Sequence, residues 1–271
     1  GESEAMIEEF MLLANQCAAH FARVKQIPFV YRVHEEPNAE KLERLHTLLQ
    51  ACGINDHFAK DVPTPKELSA ILEGVRGGPY EQIINTGMLR CMSKAVYEEK
   101  PKGHYGLVLQ DYAHFTSPIR RYPDLSVHRI LKYTLANGAP AAAKHYAAFA
   151  AESAERSSEN ELRALSAERD IEDLYKVIYM QKAVGETFDA VISSVTSFGL
   201  FCELENTCEG LIPIERLGEG YSFSEDALTL SRGKHAYKLG QPLRVRVTEA
   251  NVLRRRVYME LAEEESGKKK R

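Results

Sequence analysis

Apolar positions recur at three- and four-residue spacing along roughly the first two thirds of the chain and alternate singly along the rest, so helices are expected first and strands afterwards. From Glu2 to about Arg23, Ile7, Met11, Ala14, Ala18 and Phe21 form one stripe of a long helix. Glu8 and Asn15 lie beside that stripe, seven residues apart, and a solvated flank is the commoner explanation for such a pair than a functional one. Ile27 to Val33 reads as a short strand. Pro37-Asn38 opens a helix with Leu42, Leu45, Leu48 and Leu49 on one face, closed by Cys52-Gly53. Thr64-Pro65-Lys66-Glu67 has the form of a capping box and predicts a helix to about Gly74. After Gly77-Gly78-Pro79 another helix is expected from Tyr80 to Tyr97, burying Ile83, Ile84, Met88, Met92 and Val96, with the methionines as core filler. Pro123 should precede a helix from about Asp124 to Ala136, with Val127, Ile130, Leu131 and Leu135 inward and Arg121, Asp124, His128 and Lys132 near the other face. Ala139 to Val184 predicts one or two long helices, with Ala164, Ala167, Ile171, Leu174, Tyr175 and Ile178 repeating on one side.

The character changes at Gly185. Thr187 to Val195, Phe198 to Leu204, Glu209 to Pro213, Leu243 to Val247 and Arg256 to Leu261 are strand-like. Five short strands in under about 90 residues predict a small barrel of OB type. The fold class expected is therefore α+β, a mainly helical part followed by a five-stranded OB-fold β-barrel. Exposed aromatics on such a barrel can stack bases, and Phe198 and Phe201 are the candidates, with Arg244, Arg246, Arg254 and Arg256 to hold the backbone. The alternative is that one or both phenylalanines fill the barrel.

Composition narrows the partners. With 44% hydrophobic and 27% charged residues, the chain of 271 has the balance of a globular protein. It has no run of about 18 apolar residues, and Gly1-Glu2-Ser3-Glu4 lacks the basic and apolar segments of a signal peptide, so a cytoplasmic location is the default expectation and no membrane is expected as a partner. The five cysteines are scattered and form no CxxC pair, which indicates neither a zinc site nor a disulfide framework. Asp170, Glu172 and Asp173 do not converge on a helix and read as an exposed acidic face, so no metal-binding residues are assigned in this chain. Net charge is -4, so any nucleic-acid binding must come from local basic patches; the tail Lys268-Lys269-Lys270-Arg271 is one, expected to be disordered.

The other patch carries the chemistry. Ser117-Pro118-Ile119-Arg120-Arg121-Tyr122 follows an apolar approach through His104-Tyr105-Gly106-Leu107 and Ala113-His114-Phe115-Thr116, and leads to Asp124 and His128-Arg129. Ser117 suits an N-cap and Pro118 a first helical position, which makes a helix start that attracts phosphate, and the two arginines add fork-shaped donors. On these residues alone a phosphate site and a plain capped helix are equally good readings.

This run closely resembles the signature of the RNase II/RNase R family of 3′-to-5′ exoribonucleases. Ile7-Glu8-Glu9 with Met11 and Ala14-Asn15 is similar to a helix of that family, and Gly103 to Leu107 to its approach to the signature. Gly185, Phe198-Gly199-x-Phe201 and Glu209-Gly210-Leu211-Ile212 resemble an S1-type RNA-binding domain, and the paired arginines and basic tail look most like the RNase R branch. The resemblance implies three parts: residues 1–183 as the C-terminal portion of an RNB exoribonuclease domain, 184–262 as an S1-type OB-fold, and 263–271 as a basic tail. It implies a hydrolase that cuts single-stranded RNA, and not DNA, to nucleoside 5′-monophosphates. Arg120 and Glu8 would be its catalytic residues here, Arg120 on the scissile phosphate and Glu8 on the terminal ribose, with Arg121, Phe198, Phe201, Arg244 and Arg246 binding RNA. Magnesium would be the cofactor, held by an aspartate cluster that belongs upstream of Gly1. The chain is therefore expected to lack the first part of its catalytic domain and to be inactive alone. Pro213 and Glu215 depart from the S1 pattern, removing one stacking ring and adding a negative charge, which implies weak RNA affinity for the isolated barrel. A non-catalytic RNA-binding or partner-docking protein on the same scaffold is the alternative.

Overall fold

The computed structural model describes residues 1–55, 58, 60–224 and 228–262. In chain order the elements are α1 (Glu2–Lys25), β1 (Tyr31–Val33), α2 (Ala39–Ala51), α3 (Pro65–Val75), α4 (Glu81–Cys91), β2 (Val96–Glu98), α5 (Tyr122–Asn137), α6 (Ala139–Met180), β3 (Thr187–Thr196), β4 (Gly199–Leu204), β5 (Glu209–Pro213), α7 (Ile214–Leu217), β6 (Ser222–Ser224), β7 (Thr229–Arg232), β8 (His235–Lys238), β9 (Pro242–Asn251) and β10 (Arg256–Leu261). They group into two compact units. One comprises Gly1–Asn38, Val62–Pro65 and Met92–Ser166, the other Ala39–Asp61, Lys66–Cys91 and Ala167–Arg271.

In the first unit, α1 buries Asn15, Ala18, Ala19 and Ala22, a face of small residues that admits close neighbours. Around it lie Phe29, Val30, Tyr31 and Val33 of the β1 region, Tyr97 of β2, Val127 and Ile130 of α5, and Ala142, Ala150 and Ala154 of α6. The apolar stripe expected along all of α1 is buried only in its second half. Met6, Ile7, Phe10 and Leu13 are exposed. The helix expected to reach Tyr97 stops at Cys91, and Val96 and Tyr97 form β2 instead, because β1 offers a partner (Arg32 opposite Tyr97, Val33 opposite Val96) that local periodicity cannot reveal. Leu135, expected inward on α5, is exposed, whereas Asp124, expected on the polar face, is fully buried.

In the second unit, Gly87 of α4 lies against α2, where an added Cβ would stand 2.1 Å from Leu48 Cδ2. The five expected strands close a barrel in the order β10-β5-β4-β3-β9. Its interior is filled by alternate residues, among them Ile192, Leu200, Cys202, Ile212, Val245, Val247 and Met259. A register shift in β3 between Ile192 and Ser194 moves the inward set from Ala190 and Ile192 to Val195. A three-stranded sheet, β6-β7-β8, is inserted between β5 and β9 and has no counterpart in the sequence reading. Of the stripe expected on the later part of α6, Ile171, Tyr175 and Ile178 are exposed; Val177 and Met180 are the residues it buries in the barrel core. The basic run at 268–271 lies outside the described residues.

Gly199 shows how tightly the barrel is closed. Its φ is +150°, and a Cβ there would stand 2.2 Å from the carbonyl oxygen of Ile212, which cannot move without breaking the β4–β5 pairing. Gly199→Ala should therefore lower stability by about 1–3 kcal/mol. Gly74→Ala in α3, with nothing within 4 Å, should be neutral or slightly stabilising. Urea denaturation of the two variants checks the contrast.

Candidate nucleic-acid interface

The segment from Asp111 to Arg121 runs between α1 and α5 without joining a regular sheet. Its backbone groups are met by side chains instead. Asn15 Oδ1 accepts the N–H of Phe115 (2.9 Å) and of Thr116 (3.2 Å), while its Nδ2 donates to the Tyr112 hydroxyl (3.2 Å). Asp124 Oδ1 accepts the Ser117 N–H (2.7 Å) and the Arg121 Nη2 (2.8 Å). His128 Nε2 donates to the Phe115 carbonyl (2.9 Å), and its ring stacks on Phe115 with centroids 4.3 Å apart. The amide of Asn15 is thus no solvated flank but a buried clamp.

Ser117 does not cap a helix, which corrects the expected helix start. Its carbonyl accepts the N–H of both Arg120 and Arg121, closing a turn, and α5 begins only at Tyr122 with Arg121 as its N-cap and Pro123 in its first turn. Because the amides of residues 115–117 are occupied from within and Asp124 sits in the first turn of α5, backbone N–H groups and helix dipole are both compensated. An anion here must be met by a side chain.

The side chain placed to do so is Arg120. A cavity of about 690 Å³ lies beside the turn, lined by Arg120, Arg121, Tyr122, Tyr97, Phe149 and Arg156 among others. Arg121 is held by Asp124 and Arg156 by Glu152. Arg120 is exposed, and its side chain has no hydrogen bond or ion pair among the described residues. Its charge is free for an incoming anion, whereas Arg121, named beside it from the sequence, is turned inward. Tyr97 donates to or accepts from His114 Nδ1 at 2.9 Å and carries the Arg32 guanidinium 4.5 Å above its ring. Burial, with Arg121 and Arg32 nearby, pulls the pKa of His114 down to about 3; burial and the neighbouring His34 pull His104 down to about 4. Both imidazoles are neutral at physiological pH, so the positive charge here belongs to arginine.

Glu8 is exposed on α1, about 10 Å along the axis from Asn15. No contact joins it to Arg120 among the described residues. The far end of α1 is fixed by Asp111, which receives Arg23 Nε (2.7 Å) and His20 Nδ1 (2.9 Å); burial opposes its charge, but these two partners hold its carboxyl below the usual range.

On the barrel, Phe198 is half exposed, and Phe201 points outward beside it with ring centroids 5.8 Å apart and nearly perpendicular. Strand register puts Phe201, Leu211 and Tyr258 in one outward row across β4, β5 and β10. Arg244 and Arg246 are also outward, but they pair with Asp189 and Thr187 at the start of β3, whereas Phe201 pairs with Ser194 near its end. Along the strand Phe201 lies about 17 Å from Arg244 and about 23 Å from Arg246, and the structure does not bring them together. Arg246 is further committed to Glu260, and Arg244 lies 3.6 Å from Asp189. Nearer the aromatic end is Arg216, unremarked in the sequence, whose Nη1 donates to Thr248 Oγ1 (2.7 Å), which in turn donates to the Tyr258 carbonyl; Arg216 also lies 3.6 Å from Glu260, the carboxylate that holds Arg246. Tyr258 was equally missed; the alternation of β10 was the available signal. Among the described residues no group of three or more His, Cys, Asp and Glu side chains could hold a metal ion, so the residues present do not fit a magnesium site.

Residues 1–137 match the RNB domain and residues 181–261 the S1 RNA binding domain. The chain belongs to the RNB family. The RNB match ends with α5, and α6 connects it to the S1 match. The chain is 40% identical to Ribonuclease R 1 of Lactococcus lactis over 255 residues, covering 93% of this chain and 31% of that protein. It is 35% identical to Ribonuclease R of Escherichia coli K12, covering 97% and 34%. Among solved structures, the apo form of Mycoplasma genitalium RNase R superposes with a TM-score of 0.87 at 29% identity, covering 96% of this chain and 42% of that one. The same enzyme in complex with ribose-methylated single-stranded RNA gives 0.86. This RNB chain spans about a third of the length of the curated relatives it matches.

The two buried imidazoles give the RNB unit a defined acid sensitivity. In the unfolded chain they protonate near pH 6.5, whereas the fold keeps them neutral down to about 4 and about 3. Below about pH 6.5 the unfolded state binds more protons, so stability falls with pH until the folded values are reached. The thermal midpoint should drop as pH goes from about 7 to about 4.5, and His114→Gln should flatten that slope; an unchanged slope would contradict the assignment.

Proposed function

We propose that this chain is the C-terminal part of an RNase R-type 3′-to-5′ exoribonuclease that hydrolyses single-stranded RNA to nucleoside 5′-monophosphates. Residues 1–183 would be the C-terminal portion of its RNB domain, 184–262 its S1 domain and 263–271 a basic tail. The observation that carries this reading is Arg120: an exposed guanidinium without a protein partner, on a turn pinned by buried hydrogen bonds, at the mouth of a cavity that aromatic rings share. Ribonuclease R relatives and the RNA-bound M. genitalium enzyme support the same substrate.

Within that reading each residue has a task its chemistry suits. The planar fork of Arg120 binds the phosphate at the scissile bond and stabilises the charge that develops on its oxygens. Glu8 accepts from a terminal ribose hydroxyl, a contact that favours RNA over DNA. Phe198, Phe201 and Tyr258 give bases a stacking surface. Magnesium is part of the proposal as the cofactor of the complete enzyme, with ligands outside this chain, and a cytoplasmic location goes with it.

In the complete enzyme, Arg120→Ala should lower kcat by about 10²–10³-fold and change KM much less. Loss of RNA affinity equal to the loss of turnover would reduce Arg120 to a positioning contact. The chain alone should release no mononucleotides from labelled single-stranded RNA with magnesium present; processive release would refute its dependence on residues outside it. Phe198→Ala should weaken RNA binding by about 1–3 kcal/mol, whereas Arg246→Ala, which removes an arginine already paired with Glu260, should change it little. Fluorescence anisotropy across a salt series separates the two.

A further inference from the structure

We propose that Asn15 and Asp124 are positioning residues for Arg120, holding its turn from two sides so that the guanidinium stands where a phosphate meets it. The inference rests on the exoribonuclease reading and names what makes that arginine effective.

The turn has no packing of its own to hold it. Ile119, at its apex beside Arg120, is 102% exposed, and Arg120 itself makes no hydrogen bond through its side chain. What fixes the turn lies at its two feet. One oxygen, Asp124 Oδ1, receives the Ser117 N–H at the entrance and Arg121 Nη2 at the exit, so residues 118–120 span two points tied to a single buried atom. The Ser117 carbonyl closes the same loop by accepting from the Arg120 and Arg121 amides. Immediately upstream, Asn15 Oδ1 holds the Phe115 and Thr116 amides, which ties the turn to α1, the helix that carries Glu8. Asp124 is fully buried and Asn15 is 4% exposed, so neither side chain can reach substrate. Their influence on the reaction has to pass through the turn.

The test is a pair of double-mutant cycles on kcat and KM in the complete exoribonuclease. Asp124→Ala removes the one oxygen that accepts from both Ser117 and Arg121; Asn15→Ser withdraws the oxygen from both amides. Each single change should lower kcat by about 10-fold or more and leave KM within about twofold. Added to Arg120→Ala, each should lower kcat by less than about twofold further, because the group they position is gone. Effects that multiply with Arg120→Ala, or a rise in KM alone, would overturn the proposal by making these residues general supports of the domain. If both variants fail to fold the proposal falls too, since the residues are then determinants of the fold. An unchanged kcat in Arg120→Ala also overturns the proposal, whereas the exoribonuclease reading fails separately, when the complete protein releases no nucleoside 5′-monophosphates from single-stranded RNA.

Discussion

Three consecutive backbone N–H groups, those of Phe115, Thr116 and Ser117, have no partner in a strand or helix; Asn15, about 100 residues away, satisfies the first two and Asp124, seven residues on, the third. A buried amide left unpaired costs about 1–3 kcal/mol. Asn15 and Asp124 are therefore what allow an irregular segment to run between α1 and α5 at all. The consequence is positional. Helix α1 is fixed by Asn15 near its middle and by Arg23 and His20 on Asp111 near its end, while its first half projects with Met6, Ile7, Phe10 and Leu13 uncovered.

The same economy governs charge. Guanidinium groups around the turn are neutralised one by one, Arg32 by Glu161, Arg121 by Asp124 and Arg156 by Glu152, and Arg120 is left over. Histidines that might have added positive charge are kept neutral by burial among those arginines. One arginine side chain unpaired among the described residues that line the cavity would give, in the proposed role, a localised site for one phosphate, where a cluster of free cations would give a diffuse one. This accounts for how a chain of net charge -4 can present an anion site without a basic surface.

Sequence made the barrel legible because each strand alternates and five alternations in a row admit few architectures; Leu200, Cys202 and Leu204 inside and Phe201 outside follow from period two alone. It marked Arg120 through its neighbours. The supports of Arg120 were harder to read for a physical reason: Asn15 meets Phe115 and Thr116 across about 100 residues, and a polar residue on a helix is solvated unless a distant partner claims it. Asp124 reads as solvent-facing for another reason: its partner, the Ser117 N–H seven residues back, lies in a turn that helical periodicity does not describe. Val96 and Tyr97 were read as helical because local periodicity cannot report that β1 lies alongside, and Ile171, Tyr175 and Ile178 make an apolar stripe that the described residues leave uncovered.

The barrel's own arrangement limits what it can contribute. Adjacent strands lie about 4.8 Å apart, so Phe201 and Tyr258, two strands apart with Leu211 between them, stand about 10 Å from one another and can serve two bases at most with Phe198 at the edge. Arg246 is bound to Glu260, and Arg244 faces Asp189, at the opposite end of β3. A phosphate drawn to either must displace a carboxylate, so little net electrostatic attraction is gained there. On the proposed reading, grip on the barrel would come mainly from stacking, which tolerates any base and depends weakly on salt. On the proposed reading the salt-dependent, geometrically demanding contact would fall to Arg120 on the first unit, where the hydrogen bonds of Asn15 and Asp124 hold the turn that carries it.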